Sequence, residues 1–448
     1  MRASPAFTAF IACIAAAACG SSSSSPEGPI SSVVDAATDA TSAADGDDAH
    51  LVDAHLVDAA VDAAVDAAVV ETGVDSGFDA AATLCPAGSS LVVDGTACPG
   101  AAVITPQTWA SALGGAARGD VVTLDTSTLD SAPCLPVAVC QPDAAPVMLF
   151  SDSPETPSSD GVLYADTIGP GAFRLYVYQT NGGSSSRKFP IVALNQGASD
   201  AHVSITRRGL GGAPSTDYVA VGKAAVLDWL GSTGAGMVTV AAGTRVLLDP
   251  ALDALHANAQ QLVNAIYDVA VDAPIKVSFV SVAAGEDAAM VTASLSLFPR
   301  DPAHDRGTFP GAERWLVAPM PDDGGSVRKL QLGDGPIDPP LSGRDATTGA
   351  AATLAGNYGV AYRWRSALAA GAGLAAFARG GDWGGGAIVP SGLDGTTSPV
   401  GLPSASSALS AGMQAVLVGR FAPGALDVWL MSAGGSSLPL DVALIPLP

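Results

Sequence analysis

Four cysteines, Cys85, Cys98, Cys134 and Cys140, crowd into one stretch that has no histidine and no Cys-x-x-Cys spacing. Zinc needs a tetrahedral set of thiolates and imidazoles at closer spacing, so these thiols read as two disulfides made in an oxidising compartment. Three pairings are open, and nearest-neighbour pairing, Cys85–Cys98 with Cys134–Cys140, is the expectation. Carboxylates gather next, at Asp152, Glu155, Asp160 and Asp166 near strand ends. Calcium takes such oxygen ligands, but EF-hand spacing is absent, and turn acids that cap backbone N–H groups explain the same residues. Arg207-Arg208 precedes Gly209-Leu210-Gly211-Gly212, which lacks the Gly-Lys-Ser/Thr ending of a phosphate loop. The basic pair could hold an anion with help from the N-terminus of the helix that follows. Of the six tryptophans, Trp229 and Trp429 sit in regular apolar elements and read as core, whereas Trp383, in a glycine-rich loop, is the candidate for an exposed carbohydrate platform. No G-x-S-x-G elbow, H-E-x-x-H pair or kinase signature occurs, so no catalytic residue is assigned.

Short strands must position these residues. Val147 to Phe150, Gly161 to Asp166, Arg174 to Tyr178, Ile191 to Leu194 and His202 to Thr206 have strand length, and several alternate apolar with polar. One helix interrupts them: Ser215 or Thr216 can cap it, Val219, Val226, Leu227 and Leu230 give it an apolar side, and Gly231 ends it. Strands resume through Phe298, and a Pro/Asp/Gly-rich junction over 299–310 leads to a second set around 312–318, 358–364, 374–377, 414–418, 427–431 and 442–445. The fold class is mainly β: two antiparallel β-sandwich domains, Ig-like or jelly-roll-like, over 142–300 and 301–448, with one short helix. A single larger barrel-like fold is the alternative. The cysteine-bounded segment 85–141 is too short to bury much core and should depend on its cross-links.

Charge and composition divide the chain further. Of 20 basic residues only Arg2 precedes Arg118, and the net charge is −23. Nucleic-acid binding is excluded as a reading, since phosphate neutralisation needs clustered cations. From 19 to 84 the chain is Ser, Asp, Ala and Val, with Val-Asp-Ala-Ala repeated from Val57. Such a segment cannot bury enough apolar surface to fold, and reads as a disordered acidic tether with a coil span of about 40–50 Å. Residues 1–18 have the Arg2 n-region and the apolar run of a secretory signal peptide, too short for a permanent membrane helix.

Ala16-Ala17-Ala18-Cys19-Gly20 resembles the lipobox of bacterial lipoproteins, with Ala16 in place of the more usual Leu. The resemblance implies that Cys19 is lipidated and that the partner of the N-terminus is a membrane, reached through two or more acyl chains. Gly20 rather than Asp after the cysteine is compatible with outer-membrane sorting. Met148-Leu149-Phe150-Ser151-Asp152-Ser153-Pro154-Glu155, Asp160-Gly161-Val162-Leu163-Tyr164 and Gly356-Asn357-Tyr358-Gly359-Val360 resemble an uncharacterised β-rich domain of secreted bacterial proteins, over about 146–448. That domain often accompanies a copper amine oxidase N-terminal-like stalk, which this chain does not show. The oxidase chemistry fails on residues: Thr353 stands one place too far from Asn357-Tyr358, Gly359 replaces the acid, and no His-x-His pair exists. No cofactor is implied. The expected function is an exported envelope lipoprotein, non-enzymatic, binding or scaffolding an unknown protein or glycan. The alternative is an extracytoplasmic hydrolase, such as a glycosidase, with a dispersed pair of carboxylates.

Overall fold

Alternation decides the layers. In Gly171–Thr180 the side chains of Phe173, Leu175 and Val177 enter one apolar core, while Tyr176 and Tyr178, on the opposite face, enter another. A strand buried on both faces must lie between two layers. The computed structural model describes residues 85–93, 106–123, 134–135, 137–318, 327–333, 335, 338–378, 385–388, 398–402, 414–436, 438 and 440–447. The segments 1–18 and 19–84, with Cys19, Cys98 and Trp383, lie outside them.

The described chain is mainly β and forms four sheets. Sheet I has five strands, with Arg245–Leu247, Ile191–Leu194, Ile275–Ala283 and Gly161–Ile168 in order and Arg187–Lys188 attached to the third. Sheet II has eight, in the order Gly236–Val240, Ala201–Leu210, Leu262–Val271, Gly171–Thr180, Val147–Ser151, Arg306–Phe309, Leu341–Arg344 and Ala351–Leu354. Sheet III has seven: Ser89–Val93, Ala138–Pro142, Glu313–Val317, Ala361–Leu368, Gly424–Ser432, Gly385–Ile388 and Val400–Gly401. Sheet IV has five: Arg328–Leu332, Leu440–Pro446, Ala372–Ala378, Gln414–Phe421 and Val121–Thr123. Pairing is antiparallel except where Val147–Ser151 meets Gly171–Thr180 and where Glu313–Val317 meets Ala361–Leu368.

Sheets I and II close one sandwich around Leu163, Tyr164, Phe279, Leu175 and Tyr267. Sheets III and IV close the other around Leu316, Trp364, Val428, Leu374 and Val442. The outer face of sheet IV is covered by a helix, Pro106–Gly114, through Trp109 and Leu113. That helix adds to the one expected from the sequence.

The expected helix runs Tyr218–Gly231 and is wedged between sheets II and III. Its cap is Asp217, whose carboxylate accepts from the Ala220 N–H, while Ser215 Oγ accepts from the Asp217 N–H. Two glycines make the wedge possible. A Cβ at Gly209 would sit 2.1 Å from the Ala225 carbonyl oxygen, and one at Gly386 would sit 2.7 Å from Leu230. The glycines after Arg208 thus serve helix packing.

The sheets cross the expected boundaries. Arg306–Phe309 pairs with Val147–Ser151 across 300/301, and Ala138–Pro142 pairs with Glu313–Val317 across 141/142. All described residues fall within one unit, Val74–Pro448. The cysteine segment 85–141 is therefore sheet edge and helix cover for the body, not a module standing alone. The cysteine pairing also departs from nearest neighbours. Cys85 bonds Cys140, 55 residues away, because Ser89–Val93 returns antiparallel along Ala138–Pro142. Cys134 is disulfide-bonded as well, to a partner outside the described residues. No helix among the described residues is long and apolar enough to cross a membrane.

Candidate binding face between sheets II and III

Two rows of in-register residues face each other where sheets II and III diverge. In sheet III, Cys140, Trp315, Arg363 and Trp429 are successive cross-strand neighbours and so share one face. In sheet II, Arg174, Asp268 and Arg207 are likewise in register. The helix inserts Trp229 between the rows: the Arg174 guanidinium lies 4.4 Å from its ring centroid and that of Arg207 lies 5.0 Å from it. Arg207 also approaches Trp429 at 5.9 Å, and Arg363 approaches Trp429 at 5.2 Å. Guanidinium over indole is attractive because the cation meets the negative face of the ring.

Carboxylates hold this array. Asp268 grips Arg174 with both oxygens, at 2.6 and 2.9 Å, and Arg174 Nη1 donates to the carbonyls of Ala312 and Gly359, both at 2.8 Å. Asp427 grips Arg363 the same way, at 3.1 and 2.8 Å. Trp315 Nε1 donates to Glu313 Oε1 at 2.9 Å. Burial pushes the Glu313 carboxyl above its ordinary value, opposed by the Trp315 hydrogen bond and by Arg174 and Arg363. A β-bulge at Thr206 offsets the register beside Asp268, and Thr206 Oγ1 bonds the Asp268 carbonyl. Trp229 is buried, but Trp315, Arg363, Trp429 and Arg207 are each half-buried and reach solvent. The array can present aromatic surface and fixed donors together.

The sequence candidates are dispersed across the molecule. Arg207 enters the face, while Arg208, on the opposite side of its strand, leans toward Asp249 at 3.7 Å. Arg207 lies against Trp229, in the last turn of the helix, rather than at the helix N-terminus. Trp429 is a half-buried member of the face rather than plain core.

The four carboxylates do not converge. Asp152 and Glu155 join Asp301, Asp305 and His304, whose Nε2 and Nδ1 each lie 2.9 Å from a carboxylate, of Glu155 and Asp301. Asp160 pairs with Arg187. Asp166 accepts from Thr308 at 2.6 Å and pairs with Arg344 at 3.2 Å. Among the described residues no group of three or more His, Cys, Asp or Glu is arranged to hold a metal. Burial, then Glu155, Asp301 and Asp305, push Asp152 well above its ordinary value.

Asp166 also lines a cleft of about 450 Å³ with Thr167, Gln196, Lys276, Leu297 and Thr347.

Trp315, Arg363, Arg365 and Glu313 were not singled out from sequence. Their signal was present in Glu313-Arg314-Trp315-Leu316-Val317 and Tyr362-Arg363-Trp364-Arg365, where charged and aromatic residues alternate along strands.

No family model matches the chain, and no curated protein matches it. Among solved structures the chain is similar to the PBSX exported protein XepA, at 12% identity, over 64% of this chain and 85% of that one, with a TM-score of 0.14. It is similar to an oxalate decarboxylase of Lactobacillus farciminis at 11% identity, over 67% and 86%, with a TM-score of 0.13. The coconut allergen cocosin aligns at 9% identity over 65% and 86%, with a TM-score of 0.11. At such scores none of these likenesses bears on what this chain does.

Proposed function

We propose that the protein is an exported, lipid-anchored, non-enzymatic binding module that holds its ligand on the face of Trp315, Arg363, Trp429 and Arg207. The observation that carries this reading is the alignment of two half-exposed indoles and fixed guanidinium groups on one side of sheet III. Aromatic side chains with preorganised polar neighbours lose little entropy on contact and supply much of the energy of recognition. The Cys85–Cys140 disulfide and the bonded Cys134 support an oxidising, extracytoplasmic compartment. The sequence around Cys19 supports a lipid anchor, and Gly20 supports the outer membrane or cell surface. A glycosidase has less support, because it needs two carboxyl groups flanking the substrate. The cleft offers one, Asp166, already engaged by Thr308 and Arg344.

Two measurements test the reading. A clickable palmitate should label the wild-type chain in the producing cell and not Cys19→Ser; label that persists in the variant removes the anchor. Purified full-length protein should be retained by isolated envelope polymers, and Trp315→Ala with Trp429→Ala should abolish retention by protein that circular dichroism shows to be folded. Undiminished retention by that double variant removes the binding face.

A further inference from the structure

The binding face brings cations and aromatic surface together. Asp268 lies in register between Arg174 and Arg207, yet both its oxygens engage Arg174. Asp427 is the cross-strand partner of Arg365, yet both its oxygens engage Arg363. Each acid is thus committed to one arginine and leaves a second unneutralised. Among the described residues neither Arg207 nor Arg365 has a hydrogen-bond acceptor or a carboxylate partner. Arg207 is fixed by Trp229 and Trp429 instead. Arg365 is half-buried and, two residues beyond Arg363, lies on the same face. Four guanidinium groups against the carboxyls of Asp268, Asp427 and Glu313 leave cations in excess beside two indoles, on a chain of net charge −23.

Resting on the binding reading above, we infer that this face binds an acidic polysaccharide, with Arg207 and Arg365 receiving its carboxylates and its sugar rings lying against Trp315 and Trp429. A guanidinium offers a planar fork that matches a carboxylate, and its hydrogen bonds to charged acceptors are the strong ones. Sugar rings have apolar C–H faces that suit indole. A nucleic acid fits worse: its affinity comes from neutralising many phosphates, and this face has only a small excess of cations on an acidic body. The surrounding negative charge repels polyanions in general, so binding requires the local fit as well as the charge.

The test uses the full-length protein in affinity electrophoresis and by tryptophan fluorescence, with polygalacturonate, its methyl ester, dextran and polyphosphate as probes. Polygalacturonate should retard the protein and change its fluorescence, while the methyl ester and dextran should act at least about tenfold more weakly. Arg207→Gln and Arg365→Gln should each weaken polygalacturonate binding by about tenfold at unchanged thermal stability, and Arg207→Lys should restore part of the loss. Polygalacturonate binding that both Gln variants retain in full overturns the inference. Tighter binding of dextran or the methyl ester, abolished by Trp429→Ala, also overturns it, but leaves the binding face standing. Equal affinity for polyphosphate removes the sugar assignment. Failure to bind any of the four overturns the inference alone, because retention by envelope polymers judges the binding reading separately.

Discussion

Along the strands Gly171–Thr180 and Leu262–Val271 the two faces of sheet II are built on opposite plans. Toward sheet I the sheet presents Phe173, Leu175, Val177, Val263 and Val269, and sheet I answers with Leu163, Ile191, Val277 and Phe279. Toward sheet III the same strands present Arg174, Arg207 and Asp268 beside Tyr176, Tyr178 and Asn264, and the partner answers with Glu313, Arg363 and Asp427. An apolar interlayer gains stability from area removed from water and asks little of geometry. A charged one must satisfy each group or lose by burying it, so its residues are constrained one by one. The first side is the scaffold, and the second is where the molecule has surface to offer a ligand.

The comparison is broken most directly from the apolar side. Phe279 is 1% exposed and packs against Tyr164, with ring centroids 6.2 Å apart. Phe279→Ala should cost about 3–5 kcal/mol, read as a lower urea midpoint, because the cavity left between two sheets cannot collapse. Affinity for ligand should stay unchanged wherever the variant is still folded. A loss of affinity in folded protein would mean that the two faces are not separable.

The polar side should respond less and differently. Arg174→Met strips Asp268 of its partner and removes a donor from the carbonyls of Ala312 and Gly359. We expect a loss of about 2–3 kcal/mol, below that of a fully buried pair because Asp268 keeps 17% exposure. Converting Asp268 as well, in Arg174→Met with Asp268→Leu, should recover much of that loss, since the uncompensated carboxylate is then gone. A double variant as unstable as the single one would show that the array contributes to stability in its own right. The comparison between faces would then be overstated.

How much of this could be read beforehand follows the same division. Strands such as Val147–Ser151 and Ile275–Ala283, and the helix Tyr218–Gly231, follow from local periodicity and turn residues, and they stand where the sequence puts them. Partnership between strands is a long-range property that periodicity does not carry. Nothing in Arg306–Phe309 announces that it pairs with Val147–Ser151, nor in Ala138–Pro142 that it lies beside Glu313–Val317 and draws Cys140 to Cys85. Strand pairing across 300/301 and 141/142 and the Cys85–Cys140 bond are for that reason invisible to local pattern. The binding face was half legible: Arg207 stood out as a basic residue on a strand, but its companions Arg363, Trp315 and Trp429 come from 100 residues or more further on. His304 and Glu155, far apart in sequence, likewise meet at 2.9 Å only through the fold.

The smallest expected effect concerns charge that is not paired at all. Asp152 follows the strand Val147–Ser151, its Oδ1 is buried without a hydrogen-bond partner, and Glu155, Asp301 and Asp305 stand nearby. Burial, reinforced by those acids, raises its folded-state pKa well above the ordinary 3.8. An acid whose pKa is raised by folding stabilises the fold below its ordinary value, and that contribution is lost as pH climbs through the raised one. Asp301 runs the other way: despite the cost of burial, the N–H groups of Ala303, Glu155 and His304 hold it below its ordinary value. Its contribution is present at neutral pH and disappears on acidification. Asp152→Asn replaces a carboxyl whose ionisation the fold resists with a neutral group of the same shape. It should therefore raise stability at pH 7 by about 0.5–1 kcal/mol, with no gain near pH 3.5, where the wild-type carboxyl is already protonated. Urea midpoints of both proteins between pH 3.5 and 8 give the comparison. A variant less stable than wild type at pH 7 would mean that Asp152 is an ionised, partnered carboxylate. The cluster around His304 would then be a satisfied ion network of the same kind as the Arg174–Asp268 pair, and the polar side of sheet II would extend further than Arg174, Asp268 and Arg207.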